Sequence, residues 1–136
     1  MVKPYPISKL IEEWVSWAEW AMSHRESDAE NPFGVAFFEL GWLVEHEPET
    51  AWNVILQIAA LPSAQPCLGN LAAGPVEDLL SYHGSNFIDR IELQAASNPT
   101  FASLLGGVWQ HTMSNEIWRR VQAACIAGPS GSAHVG

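Results

Sequence analysis

Proline has no backbone N–H to give, so a helix tolerates it freely only in its first turn. This chain places proline again and again behind a residue that can end the preceding loop: Asn31-Pro32, Glu47-Pro48, Gly74-Pro75 and Asn98-Pro99. Each pair reads as a cap followed by the first helical position. Glu49, Glu77 and Asp78 then put negative charge in the first turn, where the positive end of the helix dipole favours it. A chain punctuated in this way is expected to be a series of short helices.

Apolar periodicity fills in the rest. Residues 8–23 carry Leu10, Ile11, Trp14, Trp17, Ala18, Ala21 and Met22 at three- and four-residue spacing, one stripe of an amphipathic helix. The second helix, residues 32–45, is apolar nearly all round. Phe33, Phe37, Leu40 and Val44 lie on one side, with Val35, Phe38 and Trp42 on the other, the pattern of a helix buried at the centre of its domain. The third, 48–60, presents Trp52, Ile55, Leu56 and Ala59. Two prolines and a glycine mark 61–73 as a loop. A fourth helix over 75–83 is expected to stop at Gly84 in a left-handed C-cap. Helices over 86–96, 99–105 and from a Ser114 cap to 127 follow, and residues 128–136 read as a disordered tail. Period-two alternation is missing throughout. The expectation is an all-α single domain over 1–127 with about seven short helices. A 67-residue offset aligns Asn31-Pro32 with Asn98-Pro99, Trp42 with Trp109 and Glu49 with Glu116. That similarity leaves two arrangements open, HEAT-like stacked hairpins or an irregular bundle.

The chain has 136 residues, the length of one domain, and carries a net charge of −9. Ten acids and three bases fall in residues 1–58, against five and three in the remainder. Such a surface repels nucleic acid and anionic membrane, and favours a basic protein partner that meets the first half. No run reaches the roughly 18–20 apolar residues of a membrane span, and no signal peptide is visible. Cys67 and Cys125 stand far apart in no motif, which fits free thiols and a reducing, cytoplasmic setting.

Several charged residues are turned inward by helical geometry. Glu39 falls between Val35 and Leu43, and Glu92 between Ile88, Ile91 and Ala95. A buried carboxylate must pair, hydrogen-bond or take a proton; Arg25, Arg90, Arg119 and Arg120 are nearly the only cations at hand, beside Trp indole N–H donors. A structural tie is the expected role, and an acid/base pair in a cleft is the sharper alternative. His24, His46, His83, His111 and His134 show no metal-ligand spacing, so neither a metal nor a cofactor is expected. His83 suits a helix C-terminus, and His111 sits in an open turn. Nucleophile elbows, C-x-x-C pairs and phosphate-binding glycine loops are all missing. Trp20 lies off its helix's apolar stripe and is a candidate partner anchor.

From Gly74-Pro75-Val76-Glu77-Asp78-Leu79-Leu80 through His83-Gly84, Ile91-Glu92, Asn98-Pro99-Thr100-Phe101 and Val108-Trp109 to Trp118-Arg119, the chain resembles a bacterial domain family of unknown function. The resemblance covers about residues 74–121. It implies a helical fold in which Glu77, Asp78, His83, Glu92, Trp109 and Arg119 belong together, and it implies no activity.

The expected function is that of a protein-binding module, an acidic inhibitor or immunity-type protein masking a basic bacterial toxin or effector. Trp20, Glu26, Asp28, Glu30, Glu45, Glu47 and Glu49 would meet that partner. Two alternatives stand beside it: an enzyme or ligand sensor with a cleft around Glu77, His83, Glu92 and Arg119, and a structural or homo-oligomeric helical protein. The oligomeric state is not legible.

Overall fold

The computed structural model describes residues 5–133, the last four by backbone alone. Lys3, His134 and the end of the expected tail lie outside the described residues. Every regular element among them is helical, and none is long and apolar enough to cross a membrane. The chain divides into two compact units, Met1–Leu68 and Gly69–Gly136, with the division inside the single helical turn Leu68–Leu71.

The first unit holds α1 (Ile7–Ser23), α2 (Gly34–His46) and α3 (Pro48–Ala60), each packed against the other two. Leu10, Trp14 and Ala18 of α1, Leu40 and Val44 of α2, and Ala51, Ile55 and Ile58 of α3 are buried together with Ala64. Of the expected α3 stripe, Leu56 and Ala59 are only half-buried; Ala51, Val54 and Ile58 are buried more deeply, so the inner face is rotated from the expected one. Pro48 occupies the first turn of α3, as the sequence implies. Pro32 does not do this for α2. The Asn31 carboxamide is committed elsewhere: its Oδ1 accepts from Phe33 N–H at 3.0 Å and its Nδ2 donates to the Trp17 carbonyl at 3.0 Å. That turn ties the loop to α1 and delays the helix to Gly34.

The larger correction concerns α2 itself. Ala36, Leu40, Leu43 and Val44 are buried, yet Val35, Phe38 and Trp42 are 65, 73 and 49 % exposed. The helix is a wall of its unit, not the buried centre that an all-round apolar sequence suggests. A unit of this size has too little other chain to surround a helix on all sides. Residues 61–73 also differ from expectation. They are helical turns, a 3-10 segment Pro62–Cys67, the turn Leu68–Leu71 and a π turn Ala72–Val76. Ala64, Cys67, Leu71 and Ala72 are buried at helical spacing that the prolines hide.

The second unit holds α4 (Glu77–Ser97), α5 (Pro99–Leu104) and α6 (Asn115–Ala133), with a 3-10 turn Leu105–Gly107 after α5. Pro75 is not a first helical residue but lies in the π turn that feeds α4. The two helices expected over 75–83 and 86–96 are both there, joined end to end as α4 across a kink whose non-helical residue is His83 (φ −135°, ψ 31°), not Gly84. Gly84 therefore takes no left-handed cap. Its missing side chain matters for packing, since a Cβ there would lie 3.3 Å from Ile117 Cγ2 of α6. Asn98 caps α5 as expected, accepting from Phe101 N–H at 3.1 Å, and Ser114 Oγ accepts from Ile117 N–H at 3.2 Å. Near its end α6 breaks at Gly128 (φ 47°, ψ −161°), and residues 129–133 continue as helix where a disordered tail was expected.

Gly128→Ala is expected to destabilise the second unit by about 1–3 kcal/mol, the cost of a backbone region open chiefly to glycine. Asn98→Ala should cost about 1 kcal/mol through the lost cap. Urea unfolding midpoints of the two variants against the parent chain check both.

Candidate functional site

Two surfaces carry the residues singled out in the sequence, one in each unit. In the first, the outward face of α2 is built by helical geometry alone. At 100° per residue Phe38 points directly away from the buried Ala36, Leu40 and Leu43, with Val35 and Trp42 on one flank and Gly34, Gly41 and Glu45 on the other. A Cβ on Gly34 or Gly41 would meet nothing within 4 Å. Trp42 is braced from one side by His46, whose ring stacks on the indole at 4.7 Å and 18° and whose Nδ1 lies 3.1 Å from the Trp42 carbonyl. Phe37 turns back to stack on Trp17 at 4.5 Å.

Acidic residues flank this face in the chain. Glu26, Asp28 and Glu30 precede α2, with Arg25 the base beside them, and Glu45, Glu47 and Glu49 close it; all six acids are exposed. Trp20, expected to stand in solvent, is half-buried and lies flat on His24, the ring centroids 3.8 Å apart. Glu39 is half-buried. The sequence reading missed Val35, Phe38 and Trp42 as surface residues. No periodic signal within α2 separates them from the buried residues, because the apolar pattern runs all round the helix.

In the second unit the motif residues are dispersed among distinct structural contacts. Glu77 Oε1 accepts the backbone N–H of Trp109 at 2.9 Å, fixing the turn after the 3-10 segment to the start of α4. Glu92 is bound in a fork by Arg120 of α6: Nε donates to Oε2 at 2.9 Å and Nη2 to Oε1 at 2.5 Å. Nη2 also reaches Asp89 at 2.6 Å. Arg120 is one of the four arginines expected to supply a partner; Arg119, which the family resemblance groups with Glu92, is exposed, one residue and 100° away around α6. The paired carboxylates hold the Arg120 guanidinium proton still more tightly than usual. His83 lies half-buried at the α4 kink between the rings of Tyr82 and Phe87.

A shallow groove of about 330 Å³ opens beside Trp109, lined by Leu105, Val108, Trp118, Val121, Cys125 and Ile126 among others. Trp109 and Ile126 stand at its rim, 73 and 86 % exposed. Glu77, His83, Glu92, His111 and Arg119 are not part of its lining. His111 occupies a left-handed conformation (φ 47°) in the turn nearby. Among the described residues no cluster of His, Cys, Asp and Glu is placed to hold a metal ion. The carboxylates that cleft chemistry would use are engaged in holding α4 to its neighbours.

Asp78 is the electrostatic exception. Burial, and then the charge of Glu77, push its carboxyl above the ordinary value of 3.8, while His111 pulls the other way. A folded-state value above the unfolded one means that folding favours the protonated acid. Its contribution is fully present below the ordinary aspartate value and is lost as pH rises through the raised one. Asp78→Asn should therefore be more stable than the parent chain at pH 7, with the gain vanishing by pH 3. Thermal melts across that range test the sign, and a gain of equal size at both ends would contradict it.

No match was found among curated proteins or among solved structures. Residues 22–128, from the end of α1 to the break in α6, match the family model described as a family of unknown function (DUF6869), and the chain belongs to that family.

Proposed function

We propose that this protein is a protein-binding module, an acidic inhibitor of immunity type that masks a basic bacterial toxin or effector in the cytoplasm. The observation that carries the reading is the outward face of α2, where Val35, Phe38 and Trp42 stand exposed in a helix whose polar residues are confined to Glu39, Glu45 and His46. Exposed apolar side chains of this size, grouped on one face, are a feature of interaction surfaces. Covering them would remove further apolar surface from water, a favourable term of about 25 cal/mol per Å² before the costs of association, and aromatic anchors of this kind dominate binding energies. The acids Glu26, Asp28, Glu30, Glu45, Glu47 and Glu49 would steer a basic partner and set the salt dependence of its arrival.

The enzyme or sensor alternative draws less support. Glu77 and Glu92 are already hydrogen-bonded to Trp109 and Arg120, and the neighbouring groove is apolar.

A tagged chain used as bait in its native host should retain a basic protein that is released as ionic strength rises. Changing all six flanking acids to their amides should reduce that capture by roughly tenfold or more. Recovery of no basic protein, or of the same protein undiminished by the six substitutions, would remove the basis for the proposal.

A further inference from the structure

From the α2 face we infer that the partner presents an amphipathic helix, laid along Gly34–His46, with an apolar centre of about two turns and basic side chains toward both of its ends. This rests on the protein-binding reading above and adds the shape and charge pattern of what is bound.

Three observations select this occupant. The first is the contour of the face. Phe38 projects centrally, while Gly34 and Gly41 leave open space one heptad apart beside it. Glycine at those two positions lowers the helix surface on one flank of Phe38, so that a rod can lie against the backbone there with Phe38, Val35 and Trp42 as its other wall. The second is length. Thirteen residues of α2 span about 20 Å, and the apolar side chains occupy the two turns from Val35 to Trp42. The third is charge. The acids sit beyond both ends of the apolar stretch in the chain, three before it and three at and after its close. A complementary helix therefore carries bases separated by about 20 Å, roughly 13 residues.

The same charges argue against a second copy of this chain. Two α2 faces paired antiparallel would set Glu45, Glu47 and Glu49 of each copy toward Glu26, Asp28 and Glu30 of the other, and parallel pairing would set like against like as well. Either way the apolar contact would be opposed by acids at both ends.

The test uses the full chain and two synthetic 18-residue peptides of one composition, leucine, alanine and lysine. One carries its lysines at the two ends of a central apolar stripe; the other carries them in the centre. Backbone amide shifts locate binding, and titration gives its strength. The expected result is binding of the first peptide along α2, roughly tenfold tighter than the second. Phe38→Ala and Gly41→Leu should each weaken it about tenfold, while Gly41→Ala retains it. These positions are exposed or open, and circular dichroism of each variant confirms that it is folded. Equal affinity for both peptides, shifts away from α2, or indifference to Phe38→Ala and Gly41→Leu would overturn the inference. The two readings separate in the host capture experiment. If the six acid substitutions abolish capture while Phe38→Ala and Gly41→Leu do not, the acidic module stands and the helix-docking face falls. If none of them changes capture, both fall.

Discussion

Helices α4 and α6 share the most extensive interface among the described elements, and the form of the second unit follows from how closely they approach. Gly84 permits that approach by offering no side chain to Ile117, and the kink at His83 redirects α4 just before it. Farther along, Arg120 spans from α6 to Glu92 and Asp89, so that a carboxylate on the inner half of α4 is neutralised by a planar fork. Lysine could supply the charge but not the two parallel bonds. Because the ion pairs are partly open to solvent, their value lies more in fixing the rotation of the two helices than in raw stability. The short α5 and the Trp109 turn are then held to this pair, the turn through Glu77.

Where the helices begin was partly legible in the sequence. Pro48 and Pro99 occupy the first turns of their helices, and the Asn98 carboxamide is spent on capping, its Oδ1 accepting from Phe101 N–H. Pro32 and Pro75 carry the same signal and mislead for reasons outside their local windows. Asn31 reaches back to Trp17, and Pro75 is already inside helical turns that began at Pro62. Gly84 shows the same limit. A glycine after a histidine looks like a terminus, and only the position of Ile117 reveals that it serves a close contact.

The candidate sites were legible in type more than in place. The partial burial of Glu92 followed from its spacing, and its partner is one of the expected arginines; the spacing of α6 also held the choice, since Arg119 falls nearly opposite the Ile117, Val121 and Ala124 stripe while Arg120 flanks it. The acids around α2 were visible as composition. The exposure of Val35, Phe38 and Trp42 was not, because periodicity tells which residues share a face and says nothing of whether any chain is left to cover it. For α2 the apolar content exceeds what its unit encloses.

The two cysteines end in unlike surroundings, and this decides how the protein meets oxidants and labels. Cys67 is sealed in the first unit, and burial, aided by the charge of Glu19, pushes its thiol above the ordinary range, so little of the reactive thiolate forms at neutral pH. Cys125 is half-buried at the groove beside Trp109. The folded chain thus behaves as a single-thiol protein. Sulfenylation or a maleimide dye therefore lands on α6, beside the apolar groove of the second unit, and leaves the aromatic wall of α2 chemically untouched.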